Sequence, residues 1–322
     1  MPTPSQPVDA EGTALNSPSQ WWEITVVGVP LLDDLLFWRL QTEGCQGTAS
    51  QLANQQRTVW GYLPQDCTQE SDLKRIADLV RQDVLAVGQP APKIHWQGIT
   101  EEDWAHSWQD YWHPQEIGDR ILIYPAWLPV PEQGDDLQLA IGDRLLLRLN
   151  PGVAFGTGAH ATTQLCLQAL EKHLGIKKST QPLSIADIGC GSGILSIAAV
   201  LLGADQAYAV DLDPLAVSAA QDSRDLNGLT SEQLWIAQGS IEQISQQIPG
   251  PVQGFCCNIL ADVILNLIPQ FTDITAKGSW GILSGILDTQ RPMISASLQD
   301  SSWQLVETNY DQDWCSLTIQ RL

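Results

Sequence analysis

Basic residues are scarce in this chain. Of 322 residues, 16 are lysine or arginine against 37 aspartate or glutamate, a formal net charge of −21. Neutralising a phosphate backbone is the task of Lys and Arg, so this balance argues against a nucleic-acid-binding protein. It suits a basic partner drawn in by long-range attraction, and equally it confers solubility. The deficit runs along the whole chain, with 15 acids against 6 bases in residues 1–113 and 22 against 10 in residues 114–322. Neither part reads as a basic module.

A Cys-x-x-Cys pair is also missing. The seven cysteines (Cys45, Cys67, Cys166, Cys190, Cys256, Cys257 and Cys315) are odd in number. They fit reduced thiols in an intracellular, cytoplasmic protein better than a disulfide frame or a zinc site. Long apolar runs are absent too: the best stretch, ILSIAAVLLGA at 194–204, is about half of what a membrane span needs. The first residues, MPTPSQPVDAEGTALNSPSQ, have neither the apolar run of a signal peptide nor the arginines of a transit peptide. Residues 1–20 therefore read as a disordered tail.

What is present begins with a small α/β unit at residues 21–92. A strand (EITVVGV) is followed by a helical stretch ending at Gly44, a hairpin-like strand region near 57–63 and a helix at 70–86. In that helix Leu73, Ile76, Leu79, Val80, Val84 and Leu85 form one apolar face. The β-α-β-α order predicts a two-layer sandwich, of ferredoxin-like type, without a catalytic constellation. GQPAPK at 88–93 breaks the pattern and suggests a boundary. A linker helix is expected over 93–114: Thr100 and Asp103 resemble a capping box, Trp104, Trp108 and Trp112 fall on one face, and Pro114 ends it. Such a stripe fits a connecting helix packed on a domain surface, or a substrate contact.

From 115 to 322 strands and helices alternate, which predicts a Rossmann-like parallel sheet with helices on both faces. Strands are expected at 183–188, 206–211, 234–238, 252–257, 279–284, 303–308 and 314–320, with helices at 159–173, 193–202, 214–227 and 260–270. LSIADIGCGSG (183–193) carries the chemistry: a strand ends in Asp187, and Gly189, Gly191 and Gly193 alternate before a helix. Such glycines let backbone approach a ligand without Cβ atoms in the way. The next strand ends in Asp211, where a carboxylate can hold ribose hydroxyls. A nicotinamide dinucleotide expects G-x-G-x-x-G; here the spacing is G-x-G-x-G, with an acid two residues ahead of it. That pattern resembles the S-adenosylmethionine loop of class I methyltransferases.

The strand at 252–257 leads to Asn258. Ligands of open α/β sheets bind beyond the carboxyl ends of strands, so Asn258 faces the same crevice as Gly189 and Asp211. It could also cap the following helix. The stretch Asn258-Ile259-Leu260-Ala261 lacks an aromatic to stack on a flipped base or planar amide, which disfavours those acceptors. Upstream, NPGVAFGTGAHATT (150–163) is glycine-rich but is followed by no G-K-[ST], so it is no phosphate loop. It reads as lid and side wall of a sulfonium-cofactor site: Gly156 and Gly158 permit the turn, Thr163 reaches inward and Phe155 shields the methyl. His160 fits a loop-ordering role better than catalysis.

In combination, DWAHSWQDYWHP, LNPGVAFGTGAHATT, IADIGCGSGILSIAA, AVDLDP, NILA, LSGIL and DWCSLT resemble the ribosomal protein L11 methyltransferase family (PrmA type) from about residue 103 to 318. One departure is Ala161, where the family is expected to carry proline. The resemblance implies a small substrate-recognition domain ahead of a class I methyltransferase domain, with S-adenosyl-L-methionine as cofactor and no metal. It implies N-methylation of lysine side chains and the N-terminal amine of a ribosomal large-subunit protein. Implied cofactor contacts are Thr163, Gly189, Asp211 and Asn258, with Asn258 also beside the transferring methyl as the catalytic candidate; Phe155, Asp187, Gly191, Gly193 and Ser240 are further candidate cofactor-binding residues. Alternatives left open are methylation of another basic protein, a small molecule or RNA, and a cofactor-binding module without turnover.

Overall fold

The computed structural model describes residues 20–28, 33–45, 47–53, 56–100, 113–130, 142–150, 158, 160–174 and 182–322. Residues 1–19 of the expected 1–20 tail, the tryptophan stripe at 104, 108 and 112, and Phe155 and Gly156 lie outside these residues, whereas Gln20, expected in the tail, opens a strand paired on both sides. Two compact units, Met1–Trp112 and His113–Leu322, make up the chain.

In the first unit the described elements are β1 (Gln20–Gly28), α1 (Asp33–Thr42), β2 (Gly47–Ala53), β3 (Gln56–Pro64), α2 (Glu70–Ala86) and β4 (Lys93–Thr100). They form an antiparallel sheet of order β2-β3-β1-β4, two split β-α-β crossovers. Ile24, Val26, Val59 and Leu63 meet Leu36, Leu40, Leu73, Ile76 and Val80 in its core. Arg39 of α1 clamps Asp83 of α2 through two bonds, from Nε at 2.6 Å and from an Nη at 3.0 Å. Two expectations need correction here. Residues 93–100 are a strand and no part of a linker helix, because Lys93–Val27 through Thr100–Gln20 pair β4 to the edge of β1. Gly-Gln-Pro-Ala-Pro is thus a turn inside the unit, and the boundary moves from 92 to 112. The β-α-β-α order likewise omitted β2, whose polar sequence GTASQLA gains its strand character by pairing with β3.

The second unit opens with a three-stranded sheet, β5 (Gln115–Ile117), β6 (Ile121–Pro125) and β7 (Leu145–Leu149), followed by α3 (Ala161–Leu174). Its main sheet has the order β10-β9-β8-β11-β12-β14-β13 among the described residues. The strands are β8 (Ser184–Ile188), β9 (Gln206–Asp211), β10 (Leu234–Gln238), β11 (Val252–Asn258), β12 (Thr275–Leu287), β13 (Trp303–Asp311) and β14 (Trp314–Arg321). From β10 to β12 neighbours pair in parallel, and β14 runs antiparallel to both its neighbours. The intervening helices are α4 (Ile194–Leu201), α5 (Pro214–Leu226), α6 (Ile241–Gln247), α7 (Ala261–Leu267), α8 (Phe271–Ile274) and α9 (Arg291–Gln299).

Strands covered on both faces carry apolar residues almost continuously, and successive residues feed opposite cores. Ile185, Ala207, Ala209 and Cys256 pack under α3 and α4, whereas Ala186, Ile188, Tyr208, Phe255 and Cys257 pack under α6, α7 and α9. Asn227, just after α5, fastens β7 to this layer: its Oδ1 accepts from Arg148 N at 2.9 Å and its Nδ2 donates to Arg148 O at 2.7 Å. A side-chain amide here takes the place of a neighbouring strand.

Candidate active site

Strand order reverses between β8 and β11, and a crevice opens beyond the carboxyl ends of strands at such a switch point. The turn after β8 lines it. Gly189, Gly191 and Gly193 have φ of +74°, +53° and +79°, a region that side chains with a Cβ rarely enter. Space is equally restrictive, since a Cβ on Gly189 would lie 2.4 Å from Ile259 Cγ2. Gly285, in β12, has φ +81°, and its Cβ would lie 2.2 Å from the Ile259 carbonyl oxygen. Ile259 is therefore seated between two glycines, which brings the NILA segment against the glycine turn.

Asp187 and Asp211 serve this turn differently. Asp187 is buried; its Oδ2 accepts from Ser196 Oγ at 2.5 Å and Ser196 N at 3.1 Å. Burial pushes its carboxyl up to about 6, partly countered by the Ser196 bonds, with the Asp211 charge adding to the rise. Asp211 stands at the tip of β9. Its Oδ2 accepts from Gly191 N at 2.9 Å and its Oδ1 from Asp213 N at 3.0 Å. Ser240 follows β10, and in a reciprocal capping box of α6 its N–H donates to Gln243 Oε1 at 2.8 Å. Gly239 N donates to Asp211 O at 2.8 Å, which keeps this cap beside the β9 tip.

Across the switch point, Asn258 ends β11. It does not cap α7, because the N-cap is Leu260. Its Nδ2 approaches Thr163 Oγ1 at 3.5 Å, and its buried Oδ1 has no hydrogen-bond partner among the described residues. Thr163 is buried in the first turn of α3. His160 starts that helix: its carbonyl accepts from Thr163 N at 3.0 Å, and its Nδ1 lies 2.7 Å from Thr162 Oγ1. Its ring meets Trp314 edge-on, with centroids 5.1 Å apart. Gly158, at φ +89°, sits against Ile123 and Ile194, where a Cβ would come within 2.2 Å of Ile123 Cδ1. The predicted residues Thr163, Asp187, Gly189, Gly191, Gly193, Asp211, Ser240 and Asn258 thus converge on one end of one sheet. Ser196, Gly285 and Trp314 join them without having been singled out as site residues, together with Ile259, the neighbour of Asn258; only the folded chain brings Gly285 and Trp314 to this rim.

Acceptors without partners among the described residues on Asn258 Oδ1 and Asp187 Oδ1, and two carboxylates around a Cβ-free turn, suit a cationic ligand with hydroxyls. S-adenosylmethionine, with its sulfonium, ammonium and ribose, fits that donor and acceptor set. Fold and crevice define a class I S-adenosylmethionine-dependent methyltransferase.

Comparison with known proteins narrows the class. The family described as Ribosomal protein L11 methyltransferase (PrmA) matches residues 20–322. A protein of that name from a Cyanothece species is 52% identical over 305 residues, covering 94% of this chain and 99% of the relative. Another, from Thermosynechococcus vestitus, is 46% identical over 302 residues, covering 94% and 97%. The crystal structure of a ribosomal protein L11 methylase from Lactobacillus delbrueckii subsp. bulgaricus is 31% identical, with a TM-score of 0.55, covering 65% of this chain and 99% of that one. The chain belongs to the PrmA family.

Proposed function

We propose that this protein transfers methyl groups from S-adenosylmethionine to ribosomal protein L11, on lysine side chains and on the N-terminal amine. The observation that carries this reading is Asn258 Oδ1, without a partner among the described residues and beside the glycine turn, in a chain whose family match spans both units. An acceptor there suits an amine, which must present its lone pair to the methyl while its hydrogens are held. No helix among the described residues is long and apolar enough to cross a membrane. A ribosomal substrate supports a cytoplasmic location for the enzyme.

The cofactor supplies an electrophilic methyl on a positively charged sulfur. The residues of the chain have three tasks. Gly189, Gly191 and Gly193, with Thr163 and the Asp187 carboxylate, would hold its amino-acid end. Asp211 would take the ribose hydroxyls, with Ser240 beside it. Asn258 Oδ1 accepts from the attacking amine and aligns it; positioning of this kind is the main contribution when the leaving group is already charged. A lysine of ordinary pKa near 10.4 must first lose a proton, at about 4–5 kcal/mol at neutral pH. Desolvation in the crevice offsets part of that.

Mass spectrometry of dissociated large-subunit proteins, after reaction with the enzyme and labelled cofactor, tests the assignment. Methyl groups on L11 amines are expected. Label in RNA, or in no ribosomal protein, would refute it.

A further inference from the structure

Beyond Asn258 the carboxyl rim of the sheet changes character. Leu260 and Val263, at the start of α7, are 72% and 42% exposed. Met293 of α9 and Tyr310 at the end of β13 are 44% and 53% exposed. These residues share one rim. Leu287 at the end of β12 pairs with Trp314, Asp288 N donates to Asp313 O at 2.8 Å, and α7 packs against α9. Trp314 touches His160, whose helix carries Thr163, the neighbour of Asn258. Isolated exposed apolar residues need no explanation, whereas a group of them beside a reaction centre does.

The same segments are predominantly acidic. They carry Asp262, Asp288, Asp311 and Asp313 against one cation, Arg291, which is bonded to Asp288 at 2.9 Å. An apolar surface with an acidic margin complements a segment with a basic margin, since such charges steer encounter and fix register.

We infer that the rim of α7, α9 and the β13–β14 turn is a docking surface for a basic, lysine-bearing segment of the protein substrate. The inference rests on the function proposed above. Aliphatic stems of lysines flanking the target lie over Val263, Met293 and Tyr310, and their ammonium groups meet Asp262, Asp311 and Asp313. The target lysine enters past Leu260 to Asn258.

The full-length enzyme tests this as two variants, one carrying Asp262→Asn, Asp311→Asn and Asp313→Asn, the other Met293→Ser and Tyr310→Ser. Methylation of purified L11 is followed across a salt series, with S-adenosylhomocysteine affinity as a control for an intact cofactor site. In each variant KM for L11 should rise roughly three- to tenfold, with kcat within roughly twofold of the parent. The salt dependence of kcat/KM should flatten in the aspartate variant alone. An unchanged KM in both variants would overturn the docking surface while leaving the function standing. So would a change in sedimentation, which would assign the rim to a second copy of the chain. If the parent enzyme transfers no methyl to L11, the function itself fails, and this is seen before any variant is made.

Discussion

Gly191 donates its backbone N–H to the Asp211 carboxylate at 2.9 Å, so the residue that ends β9 ties down the turn that follows β8. The second oxygen of the same carboxylate holds Asp213 N, at the start of the loop into α5. One acid at a strand tip organises two loops through charge-assisted bonds, with lone pairs left over for a ligand.

Asp211→Ala should therefore weaken S-adenosylmethionine binding by roughly a hundredfold or more, since charge-assisted bonds contribute about 1.5–3 kcal/mol each. Asp211→Asn keeps one acceptor oxygen and should fall between parent and alanine variant. Calorimetric titration measures both. Alanine-variant affinity equal to that of the parent would remove Asp211 from the cofactor site.

Ile259 gives a sharper test, because its two glycine neighbours meet different atoms. A methyl on Gly189 collides with the Ile259 side chain, one on Gly285 with its backbone. Both Gly189→Ala and Gly285→Ala should cost stability and cofactor affinity, through positive φ and through overlap, by about 1–3 kcal/mol each. Adding Ile259→Ala should recover part of the loss in the Gly189 variant and none in the Gly285 variant. Urea midpoints of the four proteins decide it; no recovery in either variant would mean that backbone strain alone explains both losses.

For Asn258 the expected signature lies in turnover. Asn258→Ala removes the buried acceptor and should lower kcat by about 10²–10³, the usual scale for one preorganised polar group at a reacting centre. S-adenosylhomocysteine affinity should change far less, because that ligand carries no methyl to transfer. Stopped turnovers with L11, set beside product-analogue binding, would show the split; a parallel loss in both would make Asn258 a cofactor ligand only.

These side chains were legible in the sequence to the extent that a backbone geometry demands a residue type. Gly189, Gly191 and Gly193 announce a left-handed turn, and the strand patterns on either side of them fix where Asp187, Asp211 and Asn258 fall. Residues defined by tertiary partners were not legible. Ser196 looks like one more small residue in ILSIAA until α4 turns it back onto Asp187. KIHWQGIT follows a proline-rich turn, and only its register against β1 makes it the fourth strand of the small sheet. GTASQLA has too little apolar alternation to declare itself before β3 pairs with it. In the same way β5 to β7 and the helices α6 and α9 are short pieces whose patterns lie below what periodicity resolves, yet they frame the crevice.

Ser196 and Asp187 also set a pH dependence whose sign is fixed. The folded carboxyl sits at about 6 against an ordinary value of 3.8, so in the window between them the native state binds more protons than the unfolded chain. Stability from this group is therefore lost as pH rises, by about 3 kcal/mol in all once pH passes the folded value. Asp187→Asn carries no charge at any pH and escapes that loss. The stability difference between the two proteins should shift toward the variant by about 1–2 kcal/mol from pH 5 to pH 7.5, the part of the titration that falls in this range. Ser196→Ala removes a bond that favours the ionised carboxyl, so it should move the same transition to higher pH. Urea unfolding of parent, Asp187→Asn and Ser196→Ala across this range reads both effects. A difference that stays flat with pH would mean that Asp187 remains ionised in the fold and that Ser196 fully compensates its burial.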